Sequence, residues 1–304
     1  HLAAVAEAIH THPWLQKLIP SPVWAGLAAT VGLSALGNSN VTAFGVRAAV
    51  GEVPVGKIGT EISKLPNAGV MLVPTAPTVA YQNPKSLSGL ASRLNNESGN
   101  IRLERYQTAK GSLVVMYLPG TSDWNPVASK KAFDVRSDLE LLGDGEKSTS
   151  YRAANAALNA FGVTNSDRLV VVGYSQGGMV AAELAESHKN VDAIVTMGSP
   201  IAKEEIPSHV KVISLEHSND VVPALSGATN PMTENWATAS RHVDVNPGET
   251  ILKAHGMHEY VQTAALADES TDSGLVRLRG EVLKDLAGST LLEAKEFAPL
   301  KAAS

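Results

Sequence analysis

Cysteine is absent from the 304 residues, which excludes a disulfide scaffold, a thiolate nucleophile and any cysteine-ligated zinc or iron–sulfur site. Charge is sparse as well, at 18% of residues, and the balance of 25 Lys+Arg against 30 Asp+Glu leaves a formal net charge of -5. That sign and size do not suit a chain that neutralises phosphates, so nucleic acid is not an expected partner. No tract of biased composition and no internal repeat breaks the text. With 44% hydrophobic residues a packed body is expected rather than disorder.

A long hydrophobic run is missing too. No residue between Lys17 and Arg47 is charged, yet the apolar part, Val23 to Gly37, is shorter than the roughly 20 residues of a membrane span and rich in Ala, Gly, Ser and Thr. The expectation is a helix packed on the core, with Trp24 buried; a membrane-surface or protein contact through this segment is the alternative. The chain opens at His1, and no charged n-region with a short apolar stretch and cleavage site is visible. An export signal was therefore removed or never present, and the compartment stays open, secretion or the cell envelope included.

At roughly 150 residues per domain, the length suits two domains or one large α/β domain with additions. Residues 1–65 read as a mainly helical extension, with Ala3 to His10 and Pro22 to Leu36 as helices, and 66–304 as the domain that carries the chemistry. Alternation over Ile101 to Tyr106, a turn at Ala109-Lys110-Gly111-Ser112 and the apolar run Leu113 to Tyr117 predict a hairpin entering a buried strand. Helices over Tyr151 to Phe161 and Gly177 to Ser187 then alternate with strands at Arg168 to Val172, Ala193 to Thr196 and Val210 to Leu215. That rhythm predicts a mostly parallel central sheet with helices on both faces. The last thirty residues read as one amphipathic helix carrying Leu275, Leu278, Val282 and Leu286, followed by a tail.

The sharpest motif is Gly173-Tyr174-Ser175-Gln176-Gly177, placed between the buried run Leu169 to Val172 and an Ala-rich helix. In a G-x-S-x-G elbow the serine sits on a strained strand-to-helix turn, and the glycines are small where backbones cross. The helix N-terminus beneath favours developing negative charge. Ser175 is accordingly the candidate nucleophile, a plain Gly-rich turn being the alternative reading. Serine needs a base, and in this architecture acid and histidine follow in that order. Asp220, in the loop after the strand ending at Leu215, is the candidate acid, with Glu216 in reserve; an Asx turn before Pro223 is the bland alternative. Of the nine histidines only His242, His255 and His258 lie beyond Asp220. His242 sits in an alternating, strand-like segment. If a helix starts near Met257, its buried stripe is Met257, Tyr260, Val261 and Ala264, which leaves His258 on the solvated side. His255, in the loop ahead of that helix, is the expected base. The oxyanion donors are expected to be the amides of Gln176, directly after the nucleophile, and Thr121, in Leu118-Pro119-Gly120-Thr121 after the early strand, unless Pro-Gly-Thr is merely a turn.

Gly-Tyr-Ser-Gln-Gly resembles the elbow of cutinase-like serine esterases, and Thr196 to Pro200, Ser218 to Pro223 and a His shortly before a Tyr resemble the class 3 lipase pattern. Over residues 110 to 265 the chain is most similar to actinobacterial α/β-hydrolase proteins that join Pro-Gly-Thr-x-Asp-Trp (Pro119 to Trp124), a Gly-x-Ser-Gln-Gly-Gly elbow (Gly173 to Gly178) and a final His-x4-Tyr (His255, Tyr260). The resemblance implies an α/β-hydrolase fold and an esterase or lipase that acts on a small-molecule or lipid ester, with neither cofactor nor metal. An acyltransferase or amidase with the same triad, or a non-catalytic binding module on that fold, are the competing readings.

Overall fold

The computed structural model describes residues 69–75, 83–94, 99–121, 133, 141, 148–246, 249 and 251–301. The expected extension over 1–65, with Trp24, lies outside these residues, as does Trp124.

Eight strands form one sheet: β1 (Val70–Thr75), β2 (Ile101–Thr108), β3 (Gly111–Leu118), β4 (Arg168–Tyr174), β5 (Val191–Met197), β6 (Lys211–His217), β7 (Trp236–Arg241) and β8 (Thr290–Lys301). Their spatial order is β1-β8-β2-β3-β4-β5-β6-β7. From β3 to β7 all neighbours are parallel, whereas the β1–β8, β8–β2 and β2–β3 pairings are antiparallel. The hairpin expected at 109–112 is the β2–β3 connection, with Thr108 facing Gly111.

Helices cover both faces. On one side α2 (Thr149–Phe161) and α3 (Gln176–Ser187) pack with Val114, Met116, Leu169 and Val171; on the other α1 (Leu87–Leu94), α4 (Met257–Glu269) and α5 (Ser273–Ala287) pack with Val115, Val170, Val172 and Ile213. Alternate residues of a strand point to opposite faces, and β3 and β4 are apolar on both, which is why they read as continuous runs. Local chemistry sets the helix ends. The Ser148 hydroxyl accepts from the Tyr151 amide to cap α2, and Gly162, at φ 76°, closes it in the left-handed conformation that costs glycine little.

The final segment departs from expectation. α5 does carry Leu275, Leu278, Val282 and Leu286 on its buried side, but the supposed tail is β8, inserted between β1 and β2. Its charged residues disguised it. Glu296 reads as solvent-facing, yet it is buried because its carboxylate accepts from Arg102 Nη1 at 2.7 Å across the β8–β2 pair. Arg102 belongs to a larger buried group beneath α1. Glu104, fully shielded, accepts from Arg102 Nε at 2.7 Å, from Arg93 Nη1, and from the hydroxyls of Tyr106 at 2.6 Å and Tyr117 at 3.2 Å. Two guanidinium groups thus face two carboxylates.

Candidate active site

The site lies at the C-terminal edge of the parallel strands, where open α/β sheets bind ligands. β4 ends at Tyr174, α3 begins at Gln176, and Ser175 makes the turn between them alone, at φ 53° and ψ -119°. It is the one non-glycine with positive φ among the described residues. A side chain held in so sparsely populated a region signals a constraint imposed by its surroundings. Those surroundings are close: a Cβ on Gly173 would overlap the Gly177 carbonyl, and one on Gly177 would overlap the carbonyl oxygens of Leu118 and Pro119. The loop after β3 therefore rests directly on the start of α3. Gly120 stands so near that a Cβ there would come 3.2 Å from Ser175 Cβ, and Thr121 follows it. The Gln176 amide belongs to the first turn of α3, where helix amides point out of the N-terminus.

Three side chains named from the sequence meet here. His255 Nε2 lies 3.0 Å from Ser175 Oγ, and His255 Nδ1 lies 2.7 Å from Asp220 Oδ2. A carboxylate only accepts, so Nδ1 carries the hydrogen and Nε2 is left to accept from the serine. Asp220 is buried, and its Oδ1 also accepts from the Val222 amide at 2.9 Å, which caps the helical turn Val221–Ala224. The Asx geometry and the meeting with His255 coexist. Glu216 instead accepts from Asn230 Nδ2 at 2.8 Å. His258 is exposed and accepts from Gln262 Nε2, and His242, just beyond β7, is exposed beside Ser218.

Two aromatic residues and a second histidine surround this line, and none of the three was singled out as functional from the sequence. Tyr174 stacks on the His255 ring with centroids 5.1 Å apart, and its hydroxyl donates to the His255 carbonyl. Tyr260, fully buried, donates its hydroxyl to Asp220 Oδ2 at 2.7 Å. Burial, joined by the charge of Asp220, pushes both phenols above their ordinary range, so each stays a donor. His217, the last residue of β6, stacks on Tyr260 at 3.9 Å and 16°. Its Nδ1 lies 2.5 Å from the Ala254 carbonyl and its Nε2 2.6 Å from Thr263 Oγ1, while Arg241 Nε donates to that same hydroxyl at 2.6 Å. Burial holds the His217 imidazole below its usual value. It is therefore neutral, with Nδ1–H donating to the Ala254 carbonyl and Nε2 facing the Thr263 hydroxyl, which also lies 3.0 Å from the Glu259 carbonyl. The traces of Tyr260 in the sequence are its place on the buried stripe of its helix and its His-x4-Tyr spacing; no functional signal marks Tyr174 or His217.

A depressed histidine has a consequence for stability. As pH falls below about 6.5 the unfolded chain binds the proton before the folded one does, so stability present above that pH is lost on acidification. The melting temperature of wild type should therefore drop faster between pH 7 and pH 5 than that of His217→Gln, and the gap between them should narrow. A gap constant from pH 8 to pH 5 would contradict this.

Chemically, the arrangement can deprotonate a serine hydroxyl and hold the resulting imidazolium against a carboxylate. Among the described residues no cluster of three or more His, Cys, Asp or Glu could hold a metal ion, and no helix is long and apolar enough to cross a membrane. Compared with protein-family models the sequence finds no match, and a search of the curated proteins also finds none.

Proposed function

We propose that this chain is a serine carboxylic-ester hydrolase of the α/β-hydrolase type. The observation that carries the reading is the continuous line Ser175 Oγ, His255, Asp220, at 3.0 and 2.7 Å, beginning on a serine forced to φ 53°. A structural serine has no need of that backbone conformation, nor of an oriented base within reach.

The reaction follows from the hydrogen assignments. Ser175 Oγ bonds to the ester carbonyl carbon while its proton passes to His255 Nε2, and the carbonyl electron pair moves onto oxygen. The amides of Gln176 and Thr121 are the assigned donors to that oxyanion, each worth on the order of 10²–10³ in rate. Collapse breaks the bond to the alcohol oxygen, which leaves with the Nε2 proton. Water then repeats the sequence on the acyl-enzyme, delivering its proton to Nε2 and releasing the acid as Oγ is reprotonated. Asp220 keeps the imidazole in the required tautomer throughout.

A panel of p-nitrophenyl esters from acetate to palmitate tests the reading. Wild type is expected to release nitrophenol and carboxylic acid from at least part of the panel, and Ser175→Ala from none. Absence of turnover at every chain length, or turnover unchanged in Ser175→Ala, would overturn it. Products in which an added alcohol, amine or thiol carries the acyl group would move the assignment to acyl transfer.

A further inference from the structure

We propose that Tyr260 is a positioning residue for this reaction, its phenol sharing Asp220 Oδ2 with His255 and so limiting how strongly the carboxylate holds the imidazole proton; this rests on the serine-hydrolase reading above. Asp220 Oδ2 accepts two donors at equal length, His255 Nδ1 and Tyr260 Oη, both at 2.7 Å. The two donors stand five positions apart, His255 just ahead of α4 and Tyr260 in its first turn, while the Val222 amide holds Oδ1. Every oxygen of the carboxyl group is thereby oriented. Tyr260 meets His255 only edge-on, at 6.4 Å between ring centroids, and the hydrogen-bonded link from its phenol to the base is the shared Asp220 Oδ2.

The phenol is fixed more firmly than a core tyrosine requires. One ring face lies on His217. Gly198, at φ 60°, stands where a Cβ would come 2.9 Å from the Tyr260 hydroxyl, so that position admits neither a side chain nor an ordinary backbone conformation without shifting the ring. His217 in turn grips the Ala254 carbonyl, one residue ahead of the base, and Tyr174 grips the carbonyl of His255. One clamp thus places both donors to Oδ2. Among the described residues the other ionisable groups about this carboxylate are Glu216, Tyr174 and His217, with the Arg241–Glu259 pair behind His217.

The sign follows from hydrogen-bond donation to a charged group. An oxygen that already takes a phenol proton offers less charge to a neighbouring imidazolium. Without the phenol the carboxylate binds that cation more tightly, the imidazole keeps its proton to higher pH, and the carboxyl group gains freedom to turn.

The test is Tyr260→Phe, which retains the ring and its stacking on His217. The acid limb of the kcat/KM profile is expected to move up by about half to one pH unit. On the plateau kcat is expected to fall about tenfold while KM stays within about twofold. NMR titration of the His255 imidazole in a Ser175→Ala background reads the same shift without turnover, so a failure of this inference is separable from a failure of the ester-hydrolase reading, which the wild-type esterase panel reports. Placing 3-fluorotyrosine at position 260, a stronger donor of nearly unchanged shape, should move the midpoint downward, and serves if Tyr260→Phe does not fold. A limb and midpoint that stay in place in these variants, whatever happens to the melting temperature, would reduce Tyr260 to a packing residue and overturn the proposal.

Discussion

Ser175→Ala should lower kcat/KM on the best p-nitrophenyl ester by on the order of 10⁴ to 10⁶, and His255→Ala by a similar factor, because nucleophile and base act as one unit. The double variant should lose no more than either single one. The geometry explains why: without the imidazole at 3.0 Å nothing takes the serine proton, and without the hydroxyl the imidazole has no proton to take. A fluorophosphonate probe should label wild type at Ser175 and leave folded Ser175→Ala unlabelled. His258→Ala, altering an exposed side chain bonded only to Gln262 among the described residues, should stay within about twofold of wild type. Losses that multiply in the double variant, label on another serine, or a large loss in His258→Ala would each break the assignment.

The largest expected effect on stability lies away from the site, at Glu104. Its carboxylate faces Arg93 and Arg102, and among the described residues Glu296 brings a second negative charge to the buried group. Glu104→Gln removes the carboxylate that both guanidinium groups face, in a place that excludes water. Removing one partner of a buried ion pair costs about 3–5 kcal/mol, far more than the pair itself contributes relative to apolar residues of the same shape. For a domain of this size that is a drop of about 10 °C in melting temperature. Adding Arg93→Met to Glu104→Gln removes a cation that has lost this carboxylate and should recover much of the loss. If the double variant is less stable than the single one, or Glu104→Gln melts with wild type, the network is not held together by charge pairing.

Legibility in the sequence tracked how local the cause was. Leu169 to Gly178 could be read because strand, elbow and helix are contiguous and each residue's constraint comes from its neighbours. Asp220 and His255 could be expected at one rim because the order of chain elements limits which acid and which histidine can reach it; helix phase sets His258 aside, while Glu216 stays in reserve in the same loop as Asp220. Tyr260 was placed on the buried stripe of its helix, where it is, but periodicity reports burial and is silent about what a buried hydroxyl touches 40 residues away. His217 falls in the loop expected after Leu215 and nothing local marks it, since its partners Ala254 and Thr263 come from a distant stretch. β8 was missed for a related reason. Glu296 becomes a buried residue only once Arg102, 194 positions earlier, stands opposite it.

That pairing also bears on the order in which the chain can assemble during synthesis. β1 and β2 do not pair with each other; β8 lies between them and pairs with both. As the nascent polypeptide emerges, the parallel half can close around β4 while the ribosome is still translating α5, since none of its strand pairings lies downstream. The β2–β3 hairpin needs nothing downstream, but both pairings of β8 must wait until its residues, up to 301, have been made. Until then Arg102 lacks Glu296 and β2 presents an open edge, the kind of unpaired strand that invites another chain. Contacts of such sequence separation are slow to form. Translation therefore includes an interval in which the candidate triad can already be assembled while the sheet beside it is unfinished and exposed to mispairing.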